Sequence, residues 1–339
     1  MRFIVLTVAL AAGVPGIAHA ADCSALQIRN TVKMEPVART GLMIVPITLN
    51  GRDEKFLFDT GGGISSISKG AADALKLPEY SSNYRISDLY HEASTSFIQV
   101  RDVRFGAGST SGVQFQVMGD YGFRNGGALF DGILAATGLF AHDDIDLDFG
   151  AGRVNFFSPD HCEGKVVYWP HQTLSVLPVT LEQGHIDVPV TLDGRPLRAM
   201  LDTGASRTVL NLARAIEKLG FSPDAPPAPG TPTANPDRKI YLHRFSTLAL
   251  EGVTVNNPLV VVRPLAFGPG NDLELGSRAE HKDDITNRLT PDMIVGMDVL
   301  SRLHLYLAVN EKKLYVTEAG SGESVLFSKA STDPAPSSK

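Results

Sequence analysis

The 339-residue sequence has only two cysteines and one tryptophan, and beyond residues 3–12 no apolar run approaches the length a membrane helix needs. Its nine histidines are scattered, with no His-Glu-x-x-His pair or other metal-ligand spacing, so no zinc centre is indicated. There is no Gly-x-Ser-x-Gly elbow for a serine nucleophile. Residues 122–127 (GFRNGG) are glycine-rich but do not follow the phosphate-loop pattern, and they read as a turn. With 31 basic against 37 acidic residues and a pI near 5.8, there is no basic patch of the kind that binds nucleic acid. What remains is a chain long enough for two domains, 43% apolar and rich in glycine (32) and proline (21), a balance that suits many short strands joined by turns.

Residues 1–20 read as an export signal. Arg2 supplies the positive start, residues 3–12 the apolar core, and Ala18-His19-Ala20 a small-residue cleavage site, so the mature chain is expected to begin at Ala21. The alternative is an uncleaved anchor, which the short apolar run disfavours. Asp22 stands where a lipoprotein signal needs a small neutral residue, which argues against lipidation of Cys23. In an oxidising compartment Cys23 and Cys162 are expected to pair, closing a loop that stabilises by roughly 4–5 kcal/mol in the chain-entropy model. Two unpaired thiols are the alternative. Neither cysteine sits in a catalytic context.

The most specific feature is an internal repeat. Residues 45–61 read VPITLNGRDEKFLFDTG and residues 188–204 read VPVTLDGRPLRAMLDTG, ungapped and matching at nine of seventeen positions. Each copy places an Asn-Gly or Asp-Gly pair (Asn50-Gly51, Asp193-Gly194) between alternating apolar residues, a strong hairpin signal. Each then ends on Asp-Thr-Gly, with Asp59 and Asp202 at equivalent points. Nine residues after each aspartate stands a helix N-cap type, Ser68 and Asn211. Helical patterns follow over residues 69–77 and 212–219, the second closed by Gly220. A lone Asp-Thr-Gly is weak, since an aspartate in a turn often only caps a nearby N–H. Two in matched contexts put a carboxylate at the end of each half, and a twofold relation between the halves brings the two together. Paired carboxylates suit the acid–base hydrolysis of a peptide bond.

On these residues the chain resembles the aspartic protease superfamily, and within it the exported bacterial retropepsin-like peptidases that carry both halves on one chain. The resemblance covers nearly the whole mature sequence. It implies a mostly β, two-lobe pepsin/retropepsin-like fold with short helices and an active-site cleft between the lobes. The expected layout is an N-terminal lobe over residues 21–160, a connector over 161–171, a C-terminal lobe over 172–327 and a disordered tail over 328–339. Asp59 and Asp202 would be catalytic. Thr60 and Thr203 would lock the two loops together, and Gly61 and Gly204 would let the backbone approach the carboxylates. An apolar brace strand is expected later in each lobe. In lobe two it is Ile294-Val295-Gly296, and in lobe one Ile133-Leu134-Ala135, where alanine replaces the family's glycine. A strand-turn-strand follows each brace, over residues 145–157 and 303–317.

The family also implies a flap over each half, here over residues 84–100 and 240–250, with Tyr84 and Tyr90 as candidate tip aromatics or as ordinary strand residues. Proline-rich residues 223–236 read as a mobile surface loop. The first strand is expected near Leu42, leaving too little chain for a long inhibitory prosegment. Both halves on one chain imply a monomer acting on a peptide or protein substrate without metal or organic cofactor. Gly62 and Ala205, directly after the two triplets, lack the hydroxyl that pepsin-like enzymes carry there. Fewer hydrogen bonds to the charged form leave the pair's pKa values higher, so an optimum of about pH 4.5–6.5 is expected. The alternatives are a catalytically inactive protein on the same fold that binds a peptide or envelope component, and a purely structural envelope protein.

Overall fold

A computed structural model describes residues 23–38, 40–87, 93–120, 123, 130–135, 142–182, 185–224, 239–265 and 290–320. The leader, most of the 122–127 turn, Tyr90 and the side chain of Tyr84, nearly all of the proline-rich segment and the tail lie outside them.

The repeated sequence folds into a repeated structure. In each half the Asn-Gly or Asp-Gly pair turns a hairpin, Met43–Leu49 against Arg52–Asp59 and His185–Leu192 against Arg195–Leu201. Both residues of each turn have positive φ (50° and 84°, 47° and 75°), the twist that matches two flanking strands. The second strand of each hairpin ends at the aspartate loop. A brace strand, Gly132–Ala135 or Met293–Val295, then lies parallel to it. On the brace's other side runs a short antiparallel strand, Ser66–Ser68 or Val209–Asn211, which follows the aspartate loop. The chain must therefore enter and leave that loop on either side of the brace, which fixes the loop between two ladders.

Each short strand runs into a helix. The Ser68 side chain accepts from Ala71 N and the Asn211 side chain from Ala213 N, so both caps act as their residue types dictate. Helix Leu212–Leu219 closes on Gly220 in the left-handed region. Helix Lys69–Leu75 is shorter than its apolar pattern suggests. Lys76 turns left-handed, because Pro78 disfavours a helical conformation at Leu77.

Ten strands form the first lobe's sheet and nine the second's, and six more form a sheet that belongs to both. Its order is Ile28–Lys33, Arg153–Phe157, Asp144–Asp148, Leu303–Ala308, Lys313–Glu318, Ser175–Pro178. The halves meet where Asp144–Asp148 pairs antiparallel with Leu303–Ala308. Alternation gives this sheet two unlike faces. Ile145, Leu147, Leu305, Leu307 and Leu314 point toward the aspartate loops, where with Thr60 and Thr203 they line a small cavity.

The opposite face carries Asp144, Asp146, Asp148, His304 and Tyr306, all buried. His161 Nε2 lies 2.5 Å from an Asp144 oxygen, and His304 Nε2 lies 2.5 Å from Asp146 Oδ1. Tyr168 donates to Asp146 at 2.5 Å, and Tyr306 donates to Asp144 at 3.2 Å. The connector covers this face. Trp169 stacks on His304 with ring centroids 3.7 Å apart and donates its indole N–H to Thr317. Burial pushes both phenols, Tyr168 and Tyr306, far above the ordinary tyrosine value, so they act only as donors.

Two further expectations are corrected. The first strand is Ile28–Lys33, not one near Leu42; its alternation is masked by polar residues because it is an edge strand with one exposed flank. Residues 240–250 form no hairpin flap. Strand Tyr241–Arg244 joins Leu259–Arg263 at one end of the lobe-two sheet, while Thr247–Leu250 joins His185–Leu192 near the other. Only two residues separate those strands, and each finds a longer partner elsewhere. In lobe one, by contrast, Glu79–Ser87 and Ala93–Val100 do pair as a hairpin around the segment that includes Tyr90. The expected disulfide, Cys23–Cys162, is present and ties the N-terminal arm to the start of the connector.

Candidate active site

Asp59 and Asp202 end equivalent strands and meet where the lobes join, hydrogen bonded to each other. The two threonines hold them there. Thr60 N donates to Thr203 Oγ1 at 3.0 Å, and Thr203 N donates to Thr60 Oγ1, also at 3.0 Å. Each hydroxyl in turn donates across the junction, Thr60 to Leu201 O at 2.8 Å and Thr203 to Phe58 O at 2.6 Å. Both threonines are buried, so these four bonds have no solvent competitor.

The glycines are required by contact rather than by backbone conformation. A Cβ on Gly61 would lie 2.4 Å from Asp202 Cγ, and one on Gly204 would lie 2.5 Å from Asp59 Oδ1. Each loop therefore packs bare backbone against the other lobe's carboxylate. Within its own loop each carboxylate accepts backbone N–H groups. Gly61 N lies 2.9 Å from Asp59 Oδ1, with Gly62 N donating as well. Gly204 N and Ala205 N lie 2.8 and 3.1 Å from Asp202 Oδ1. No side-chain hydroxyl joins them from positions 62 or 205.

The braces hold the loops from behind. Ala135 N donates to Ser65 Oγ at 3.0 Å, and Gly296 N donates to Thr208 Oγ1 at 3.2 Å. Ser65 and Thr208 are repeat equivalents that the triplet motif alone did not single out. The signal was their shared spacing, six residues past each aspartate. Thr208 also donates to Asp298 at 2.7 Å. A second matched pair precedes the braces, with Asp131 accepting from Lys55 N at 2.8 Å and Asp292 from Arg198 N at 2.9 Å. In lobe one a Cβ on Gly62 would come within 3.3 Å of the Ala135 methyl. In lobe two a Cβ on Gly296 would strike Ala205 O at 2.7 Å. Alanine in the first brace is thus accommodated beside a glycine in its loop, and the second half has the reverse arrangement.

Electrostatically the pair is a single proton-sharing unit. Burial raises the Asp59 carboxyl above its ordinary value, while bonds from Asp202, Gly61 and Gly62 pull it back. Asp202 is raised well above the ordinary value, by burial first and by the neighbouring Asp59 charge second. Two carboxylates in hydrogen-bond contact cannot both ionise cheaply, so one proton stays between them. Among the described residues no three His, Cys, Asp or Glu side chains converge to hold a metal ion.

A family model described as aspartyl protease matches residues 45–137 and 188–299, more than half of the chain, with one Asp-Thr-Gly in each stretch. Comparison with curated proteins returns no match.

Proposed function

As a member of the aspartyl protease family, this chain, we propose, is an endopeptidase that hydrolyses peptide bonds with a water activated between Asp59 and Asp202. The observation that carries the reading is the reciprocal grip. It holds two carboxyl groups in contact across the junction of two equivalent loops, an arrangement relieved only by sharing one proton, which is the state that acid–base hydrolysis needs. The ionised member takes a proton from water as its oxygen attacks the carbonyl carbon. The protonated member gives its proton to the carbonyl oxygen, leaving a tetrahedral diol. The first then passes its proton to the leaving nitrogen as the C–N bond breaks. The second regains one from a diol hydroxyl, and the starting state returns. The side chains supply all the proton transfers.

Both halves of the site come from one chain, so the active species is a monomer. The Cys23–Cys162 bond fits an oxidising compartment, in keeping with export of the mature chain. Apart from the bond the pair makes with itself, the donors to the carboxylates at positions 61, 62, 204 and 205 are backbone N–H groups, which supports an optimum in mild acid.

The test is digestion of a peptide library by the mature protein and by its Asp59→Asn and Asp202→Asn variants. Cleavage by wild type that each substitution abolishes is expected, with the double variant no worse than either single one. Substantial cleavage by either variant refutes the paired mechanism. No cleavage by wild type, with binding of a statine-type transition-state mimic retained, points instead to a peptide-binding protein on this fold.

A further inference from the structure

The two halves are equivalent in backbone, but the ungapped repeat continues upstream of the matched strands into an inequivalent pair. Residues 41–46 read GLMIVP and 184–189 read GHIDVP, which puts Leu42 and His185 at the same place in the two lobes. His185 begins the lobe-two hairpin, half-buried, and its imidazole donates a hydrogen bond to the backbone carbonyl of Gly61 in the other lobe. That carbonyl belongs to the Gly61–Gly62 peptide, whose N–H donates to the Asp59 carboxylate. A single peptide group therefore links His185 to Asp59. A donor on the carbonyl polarises the N–H at the other end and strengthens its bond to the carboxylate. The corresponding peptide in lobe two donates from Ala205 N to Asp202 at 3.1 Å. On that side the repeat offers Leu42, a side chain with nothing to donate.

We propose that His185 is a positioning residue that breaks the equivalence of the two aspartates, keeping Asp59 as the ionised base and leaving the shared proton on Asp202. This rests on the peptidase reading for its catalytic meaning, though not for the proton assignment itself. Asp59 then activates the water and Asp202 protonates the carbonyl oxygen. Burial raises both carboxyls, so the geometry of the His185–Gly61 bond, and not burial, is what separates them. Among the described residues, Glu182 stands opposite His185 in the strand register, and Asp187, two residues along, lies 3.5 Å from Arg198. Burial lowers the imidazole from the ordinary histidine value, with the Gly61 carbonyl opposing.

The experiment is a carbon-detected titration of the two carboxyl groups in the free, full-length mature protein, assigned with Asp59→Asn and Asp202→Asn. Because the two groups titrate together, the amplitude at each carbon reports where the proton sits. In wild type, Asp202 should carry most of the amplitude of the upper step. His185→Leu, which copies the other half, should share that amplitude more evenly and raise the lower step by about half a pH unit or more. His185→Gln, which keeps an N–H donor, should restore the wild-type pattern. Leu42→His adds a donor on the Asp202 side and should also even out the amplitudes, which keeps the test open if His185→Leu does not fold. In the peptide assay His185→Leu should move the acid limb of the kcat/KM profile upward by the same amount. Amplitude concentrated on Asp59, or patterns unchanged in both His185→Leu and Leu42→His, would overturn the proposal. These titrations read the same whether or not any peptide is cut, so they fail separately from the peptidase reading.

Discussion

Replacing Thr203 with valine removes one hydroxyl and keeps the shape of the side chain. In the structure that hydroxyl accepts from Thr60 N and donates to Phe58 O, and it is buried. The substitution leaves a buried N–H and a buried C=O without partners, each costing about 1–3 kcal/mol. The expected loss is therefore about 2–6 kcal/mol, a large fraction of the 5–15 kcal/mol that typically holds a domain. Trp169, the only tryptophan, is buried against His304 in the shared sheet, so its fluorescence reports the junction during urea denaturation. The slope with urea should stay constant while the midpoint falls. Thr60→Val should cost a similar amount, because Thr60 makes the mirror-image bonds to Thr203 N and Leu201 O. Thr203→Ser should recover most of the loss, less about 1 kcal/mol for the methyl group. Peptide cleavage in the valine variants should fall about a hundredfold as the carboxylates drift apart. A Thr203→Val protein within about 0.5 kcal/mol of wild type would refute the claim that these bonds hold the site.

Asp202→Asn removes one of two mutually repelling carboxylates whose pKa values burial has raised. A group raised in the folded state stabilises below its unfolded value, and that contribution is lost as pH rises through the folded value. The variant should therefore melt above wild type near neutral pH, with the gap closing as the buffer approaches about pH 4; a melting point below wild type at pH 7 contradicts this. Gly61→Ala drives a Cβ to within 2.4 Å of Asp202 Cγ, so cleavage should vanish and stability drop by about 1–3 kcal/mol in calorimetry. Reducing Cys23–Cys162, which spans 139 residues, should lower stability by up to about 5 kcal/mol in the loop-entropy model, measured by denaturation with and without reductant.

How much was legible before the structure depended on how local each signal was. The hairpin turns at Asn50-Gly51 and Asp193-Gly194 and the caps at Ser68 and Asn211 are written in neighbouring residues, and they stand where those residues put them. The repeat carried the pairing of Asp59 with Asp202, because two equivalent loops can meet only about a common axis. The shared sheet was not legible. Asp144-Ile145-Asp146-Leu147-Asp148 alternates like a strand with a wet face, and nothing nearby reveals that its partners are His161, His304 and Tyr306. Strand Ile28–Lys33 was missed for a similar reason, since its ladder partner Arg153–Phe157 lies more than a hundred residues away. The segment 240–250 misled because period-two alternation marks strands without naming the strand each will join.

The acidic strand at the junction has a consequence for the order in which the molecule assembles. The first half leaves the ribosome well before Leu303–Ala308 is made, since 148 and 303 are separated by about 155 residues, or roughly 8–30 s of synthesis. During that interval Asp144–Asp148 is paired with Arg153–Phe157 on one side only, and its other side is an open edge, the kind on which copies of a nascent chain pair wrongly. Three aspartates on that strand disfavour its pairing with a second copy of itself. The later half brings the histidine and tyrosine that make the same carboxylates tolerable once covered. A fragment ending at residue 171 should accordingly stay dispersed, and should aggregate when Asp144, Asp146 and Asp148 are changed to asparagine, as light scattering would register. The strand that joins the finished lobes is also the one that keeps unfinished chains apart.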